Sequence, residues 1–248
     1  MRWRLIDDTA HDAATNMGID EAISESVSTG QSPPTIRFYA WEPSAVSIGY
    51  FQGLSNEVDM EACEKAGVDV VRRRTGGGAV YHDRDGEITY SIVGPLSLFP
   101  SDIIGSYRMI CGHVVDALRL LDIPAEFAPI NDIQVEGKKI SGSAQTRRNG
   151  VLLQHGTLLL DVDVDRMFSL LRVGKEKIAD KLIKSVKKRV TSIQDFGVFS
   201  KDDVRNALKE AFSKGRDISA GSMTEEELAL AKRLAQERYK SDAWTAMR

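Results

Sequence analysis

Cysteine is nearly missing from this 248-residue chain: Cys63 and Cys111 are the whole supply. That excludes a disulfide-built scaffold and points to reduced thiols. Only four histidines occur, and His11, His82, His113 and His155 show no metal-ligand spacing with either thiol, which argues against a zinc site. Lys and Arg total 33 against 36 Asp and Glu, a net charge of −3, so no basic field exists to hold nucleic acid. No run approaches the ~20 apolar residues that span a bilayer, and no membrane role is expected. The first residues, Met1-Arg2-Trp3-Arg4-Leu5-Ile6-Asp7-Asp8, carry no signal-peptide core. The expectation is a soluble cytoplasmic protein. Internal repeats, a Gly-x-Gly-x-x-Gly fingerprint and a Walker loop are absent as well.

What remains is ordinary globular material, 42% hydrophobic and 28% charged, of a length that fits a single domain over residues 1–248. Apolar spacing predicts helices at 16–28, 59–66 and 103–121, with Asn16 as a cap for the first and Gly67 as the stop for the second. Strand-like runs fall at 35–39, 45–48, 68–71, 79–82, 87–93, 133–135, 139–144 and 151–160, with Asn149-Gly150 as a hairpin turn. After Asp161 the pattern turns helical, at 164–171, 175–183, 202–214 and 224–239, and Thr224 with Glu227 forms a capping box. The sum is an α+β fold: a mixed central β-sheet flanked by helices, with a helical C-terminal portion.

Two segments carry chemistry. In Arg72-Arg73-Arg74-Thr75-Gly76-Gly77-Gly78-Ala79-Val80-Tyr81-His82-Asp83, three glycines allow a backbone to approach a ligand closely. Their N–H groups suit phosphate or carboxylate oxygens, and the arginines supply forked donors. In Gly137-Lys138-Lys139-Ile140-Ser141-Gly142-Ser143-Ala144, strand alternation lets only one lysine of the pair face a pocket. The uncluttered Ser141, Gly142 and Ser143 favour Lys139. Asn131-Asp132 equally makes a turn or a Mg²⁺ or nucleotide contact, and His155, before Gly156-Thr157, reads on its own more readily as a satisfied core residue than as a site residue. Cys63 and Cys111 fall on apolar helix faces and read as buried thiols.

Taken in order, these segments, with Arg37-Phe38-Tyr39, Gly49-Tyr50-Phe51-Gln52 and Tyr239-Lys240-Ser241-Asp242-Ala243-Trp244, resemble the lipoate–protein ligase family of the biotin and lipoate ligases. The resemblance spans nearly the whole chain. It implies activation of lipoate by ATP and Mg²⁺ to lipoyl-adenylate, then transfer of the lipoyl group to a lysine of an acceptor lipoyl-domain protein. By the same resemblance Lys139 is the catalytic residue. Arg73, Thr75, Gly76, Gly77, Gly78, Ala79 and His82 would line the acyl chain and its carboxyl end. Asn131, Asp132, Ser141, Gly142, Ser143, His155 and Thr157 would complete the wall, with Asp132 toward Mg²⁺.

Against full-length ligases, the resemblance sets the expectation that the further C-terminal accessory domain is absent. The chain therefore resembles the large catalytic subunit of bipartite ligases, which work with a separate small subunit. Lys181, Lys184, Lys187, Lys188 and Arg189 form a basic face that would meet an acidic acceptor or close over the adenylate, and that equally reads as a solvated helix face. Octanoyl- and lipoyl-transferases on the same scaffold form a thioester on a cysteine that precedes the lysine strand, and no cysteine stands between Phe127 and Val135 here. The expectation is thus a ligase. A cysteine-dependent octanoyl- or lipoyl-transferase and a non-catalytic lipoyl-adenylate-binding subunit are the alternatives.

Overall fold

The computed structural model describes residues 2–172 and 184–248. Among the described residues, eleven strands divide between two sheets. The larger runs β11-β1-β2-β6-β10-β9-β8-β7, with β1 at Arg2–His11, β2 at Thr35–Trp41, β6 at Glu87–Pro95 and β7 at Ala125–Ala128. Its other members are β8 at Asp132–Val135, β9 at Lys138–Arg148, β10 at Val151–Leu159 and β11 at Asp217–Ala220. The pairings β11–β1 and β1–β2 are parallel and the rest antiparallel, so the sheet is mixed, as expected. The smaller sheet, β4-β3-β5, joins Asp69–Arg72, Ala45–Ile48 and Val80–His82 and carries the glycine segment between β4 and β5.

Helices cover both faces because the central strands alternate. On β2 and β6, Ile36, Phe38, Ile88, Tyr90 and Ile92 turn to one face. There they pack against α4 (Ile103–Leu120) and α7 (Lys201–Ser213). The opposite set, Tyr39, Trp41 and Val93, meets α1 (Ala13–Ser28) and α8 (Glu225–Leu234). Gly18 permits the close approach of those two helices: a Cβ there would stand 2.6 Å from the Ala231 carbonyl oxygen. Remaining helical pieces are α2 (Leu54–Glu57), α3 (Met60–Lys65), α5 (Val164–Leu170), α6 (184–189) and α9 (Asp242–Thr245).

Several local expectations change. Asp12, not Asn16, caps α1, accepting from the Thr15 N–H at 2.6 Å. Asn16 is buried and its amide donates to the carbonyls of His11 and Ala40. The C-terminal third is not purely helical, since β11 adds a parallel edge strand to β1. Asn149 and Gly150 both adopt positive φ, the geometry of the expected two-residue hairpin turn. Thr224 and Glu227 close the expected capping box, and Glu227 also takes both forks of the buried Arg4, at 2.7 and 2.6 Å. The helix expected at 175–183 lies outside the described residues.

Candidate functional site

One row of the large sheet organises the site. Gly142 pairs with Thr157, Thr157 with Thr89, and Thr89 with Tyr39. All four line a cavity of about 310 Å³ on the α1 side of the sheet. Three strand spacings separate the ends of this row, about 14 Å. Lys139 stands at one end. Its aliphatic chain folds across Gly142, where a Cβ would meet Cε and Nζ at 2.7 Å, and its ammonium pairs with Asp132 Oδ1 at 2.7 Å. The Lys139 side chain is 42% exposed, so this end is the mouth. Tyr39 and Trp41, both fully buried, close the other end.

The glycine segment forms a second wall, and the arginines beside it are spent on holding it. Arg73 donates to the carbonyls of Gly76, Gly78 and Ser47 at 2.7, 2.8 and 3.0 Å, and to the hydroxyls of Thr75 and Ser47. Burial pulls its pKa down to about 10. Arg72 is buried against the carbonyls of Gly49, Tyr50, Gln52 and Thr245. Arg74 pairs with the buried Glu21. The expectation that these arginines offer free charge to a ligand is therefore corrected: they are a clamp. Gly49 supplies the space, since a Cβ there would overlap the Gly77 carbonyl at 2.1 Å.

Two hydrogen-bonded histidine chains sit behind the cavity. His155 has Nδ1 3.2 Å from Asp20 Oδ2 and Nε2 2.8 Å from Thr75 Oγ1. Thr75 accepts from Arg73, which leaves its own hydrogen for His155 Nε2 and assigns the neutral Nδ1–H tautomer. Burial lowers the pKa of His155 below its ordinary value. At Asp20, burial favours the neutral acid, but the hydrogen bond from His155 and the charge of Arg37 prevail and lower its pKa. In the second chain the Ser47 hydroxyl stands 2.8 Å from His82 Nε2, and His82 Nδ1 stands 2.8 Å from Glu87 Oε1. Trp41 stacks on the His82 ring, centroids 4.0 Å apart.

Of the expected site residues, the fold brings Arg73, Gly77, Gly78, Ala79, His82, Asn131, Lys139, Gly142, Ser143, His155 and Thr157 to the cavity. Thr75 and Ser141 are buried outside its lining, and Gly76 also lies outside it. Ser143 contributes main chain only, because its hydroxyl bonds Tyr90 on the α4 side at 2.9 Å. Asp132 was expected toward Mg²⁺, but its carboxylate is taken by Lys139. The Asn131 amide donates to the Ser143 carbonyl, and no group of three His, Cys, Asp or Glu gathers among the described residues. This donor set does not fit a protein-built Mg²⁺ site. Sequence reasoning missed Asp20, Tyr39, Trp41, Ser47, Glu87 and Thr89. Lys187 of the basic face pairs with Asp165 at 2.6 Å; Lys181 lies outside the described residues.

Neither thiol reaches the cavity. Cys63 is buried under the small sheet and burial raises its pKa to about 11. Cys111 lies on α4, across the sheet, 3.6 Å from the Ser143 hydroxyl, and burial raises its pKa too. Among the described residues no helix is long and apolar enough to cross a membrane.

A mixed sheet thus carries a glycine wall and a strand-borne lysine over one trough. The chain belongs to the lipoyl protein ligase A/B catalytic domain family, whose model matches residues 12–213. It is 37% identical to octanoyltransferase LipM of Brevibacillus brevis, covering 100% of this chain and 99% of that protein. The bipartite lipoate protein ligase from Thermoplasma acidophilum superposes with a TM-score of 0.92 at 36% identity, over 100% of this chain and 98% of the other. A lipoate-protein ligase A bound with ATP superposes at 0.86 and 34% identity, over 99% of both chains.

The family and fold expectations therefore stand, but the expected activity is corrected. Full-length curated relatives from several bacteria are octanoyltransferases, which are transferases and not ATP-dependent, adenylate-forming ligases. The alignment to the Brevibacillus protein runs over 278 residues against the 248 of this chain, so that relative carries insertions absent here.

Proposed function

We propose that this chain is an octanoyltransferase that moves a medium-chain acyl group from an activated donor, a thioester by chemical class, to the ε-amine of an acceptor-domain lysine. The observation that carries the reading is the row Gly142–Thr157–Thr89–Tyr39 leading away from Lys139. Its span accepts an eight-carbon chain with the acyl carbonyl at Lys139 and the tail against Tyr39 and Trp41.

The chemistry then follows from the residues present. Attack of the acceptor amine on the acyl carbonyl builds negative charge on oxygen. The Lys139 ammonium, held by Asp132, is placed to stabilise it. The acceptor nitrogen gains the acyl carbon, the donor thiolate leaves, and the proton shed by the amine ends on that thiolate. With both cysteines buried away from the trough, the transfer is direct, without a protein thioester. Catalysis rests on holding donor and acceptor together and on keeping water from the carbonyl. The acceptor is a lipoyl-type domain, the kind of domain that belongs with the bipartite Thermoplasma ligase in its lipoylation system. A separate small subunit has no step to perform, because the donor arrives activated.

The test is transfer of octanoyl from a carrier-protein thioester to an unmodified lipoyl domain, read by intact mass, for wild type and Lys139→Met. Octanoylated acceptor without ATP, lost in the variant, supports the reading. Product that forms only from free acid with ATP overturns it.

A further inference from the structure

The row that leads the acyl chain inward also continues outward by one strand. Asp132 on β8 pairs with Gly142, so it stands at the rim, beside the residue over which Lys139 folds. Its Oδ1 lies 3.5 Å from the point a Cβ on residue 142 would occupy. The Asp132 side chain is 30% exposed, and Oδ1 meets the Lys139 ammonium at 2.7 Å. Oδ2 is left for another donor at the point where an acceptor must arrive. The carboxylates of the cavity lining are committed elsewhere. Asp83 accepts from the N–H groups of Asp85 and Gly86 and from the Tyr81 hydroxyl. Asp163 caps α5, Asp161 accepts from the Val162 N–H, and Glu87 is fully buried.

An acceptor lysine reaches this rim as an ammonium, because its ordinary pKa is about 10.4. It must approach a carbonyl that the Lys139 ammonium already holds, and like charges at that range repel. A carboxylate between the two cations offsets the repulsion. Resting on the acyl-transfer reading above, we infer that Asp132 is a second catalytic residue, which binds the acceptor ammonium through Oδ2 and takes a proton from it. The ammonium carries two protons that the amide does not keep. One passes to Oδ2 and on to water, which frees the nitrogen lone pair. The nitrogen then bonds to the acyl carbon, the C–S bond breaks, and the second proton leaves on the departing thiolate. Asp132 ends as it began, a carboxylate paired with Lys139.

The experiment measures kcat/KM for an unmodified lipoyl domain, with octanoyl carrier thioester saturating, from about pH 7 to about pH 9.5. Wild type, Asp132→Asn and Asp132→Glu are compared. At neutral pH Asp132→Asn should lose about hundredfold, the scale of a general base, with the half-saturating thioester concentration unchanged. Asp132→Glu should recover part of that loss. As pH rises toward the lysine pKa, more acceptor arrives as free amine, and the deficit of Asp132→Asn should shrink to below about tenfold. The titratable groups around the carboxylate are Lys139 on β9 and, from α4 through the sheet, the Cys111 thiol, whose pKa burial raises. Without its partner carboxylate the Lys139 ammonium would lose its proton sooner, which widens the deficit as pH rises. A deficit that stays constant or widens therefore assigns Asp132 to holding Lys139 alone and overturns the inference. Undiminished turnover of Asp132→Asn at neutral pH overturns it too. Wild type that acylates no lysine at any pH would sink the acyl-transfer reading itself, and the Asp132 role with it.

Discussion

Lys139 and Gly142 are sterically coupled: the lysine's Cε and Nζ both lie 2.7 Å from the point a Cβ on residue 142 would occupy. Real Cβ atoms do not approach so closely, so the ammonium holds its place only because residue 142 has no side chain. Gly142→Ala should therefore push Nζ off the acyl carbonyl without unfolding the strand, whose backbone needs no special φ there. The expected result is a loss of about hundredfold in kcat, the scale of an ångström's misplacement, with Tm nearly unchanged. Single-turnover transfer and a thermal melt on the same sample check both halves. Wild-type turnover in this variant would mean that Lys139 is not the polarising group.

The glycine wall should depend on Arg73 in a different manner. Its guanidinium satisfies three carbonyls and two hydroxyls from a nearly fully buried position. A lysine cannot fork to that many acceptors. Arg73→Lys should lower unfolding stability by on the order of 2–4 kcal/mol, the sum of a few buried acceptors left bare. It should also weaken acyl binding, because the wall loosens. A urea midpoint equal to wild type would show that the clamp is dispensable.

Much of this was legible beforehand and some was not, for identifiable reasons. The triple glycine between β4 and β5 and the Lys139 strand announce themselves because their chemistry is local in sequence. On β6 the run Glu87-Ile88-Thr89-Tyr90-Ser91-Ile92 alternates polar and apolar, and all six are buried. A polar face on a buried strand is the signature of a lined cavity, and this signal could have named Glu87 and Thr89. Asp20 gave no such sign: it sits in a helix, 135 residues from His155, and only the fold joins them. The arginines misled because a basic run beside glycines reads as a ligand cradle, whereas burial turned them inward to carbonyls. Strand β1 escaped notice because Arg4 interrupts its apolar pattern, and its charge is settled by Glu227 at the far end of the chain.

Acid should destabilise the fold through two histidines. Burial holds His113 down to about 4 and lowers His155 as well, both from an ordinary 6.5. Above 6.5 neither state binds the protons and no penalty applies. As pH falls below 6.5 the unfolded chain takes them up first, so stability declines, until His113 protonates in the folded state near 4. Arg216, whose Nη2 lies 2.7 Å from His113 Nε2, adds repulsion to the protonated form. Tm should drop steadily between pH 6.5 and 4, and His113→Gln should flatten part of that slope. A melt series with no slope in this window would contradict the burial of both rings.

The thiols offer the sharpest separation between direct transfer and a protein thioester. Cys63 is walled in under the small sheet with its pKa raised to about 11. Cys111 faces Ser143 and Gln154 from the α4 side, with the sheet between it and the trough. A nucleophile must reach the carbonyl as a thiolate, and neither position offers thiolate or access. The double variant Cys63→Ala, Cys111→Ala should therefore keep transfer from an octanoyl thioester within about twofold of wild type. It should lose some stability, since each alanine leaves a small void in packed surroundings. Quenched single-turnover samples of the wild type should show no acyl adduct on the enzyme by intact mass. A trapped adduct that hydroxylamine releases and the double variant lacks would place the acyl group on a cysteine. The trough would then have to open toward α4 during the reaction.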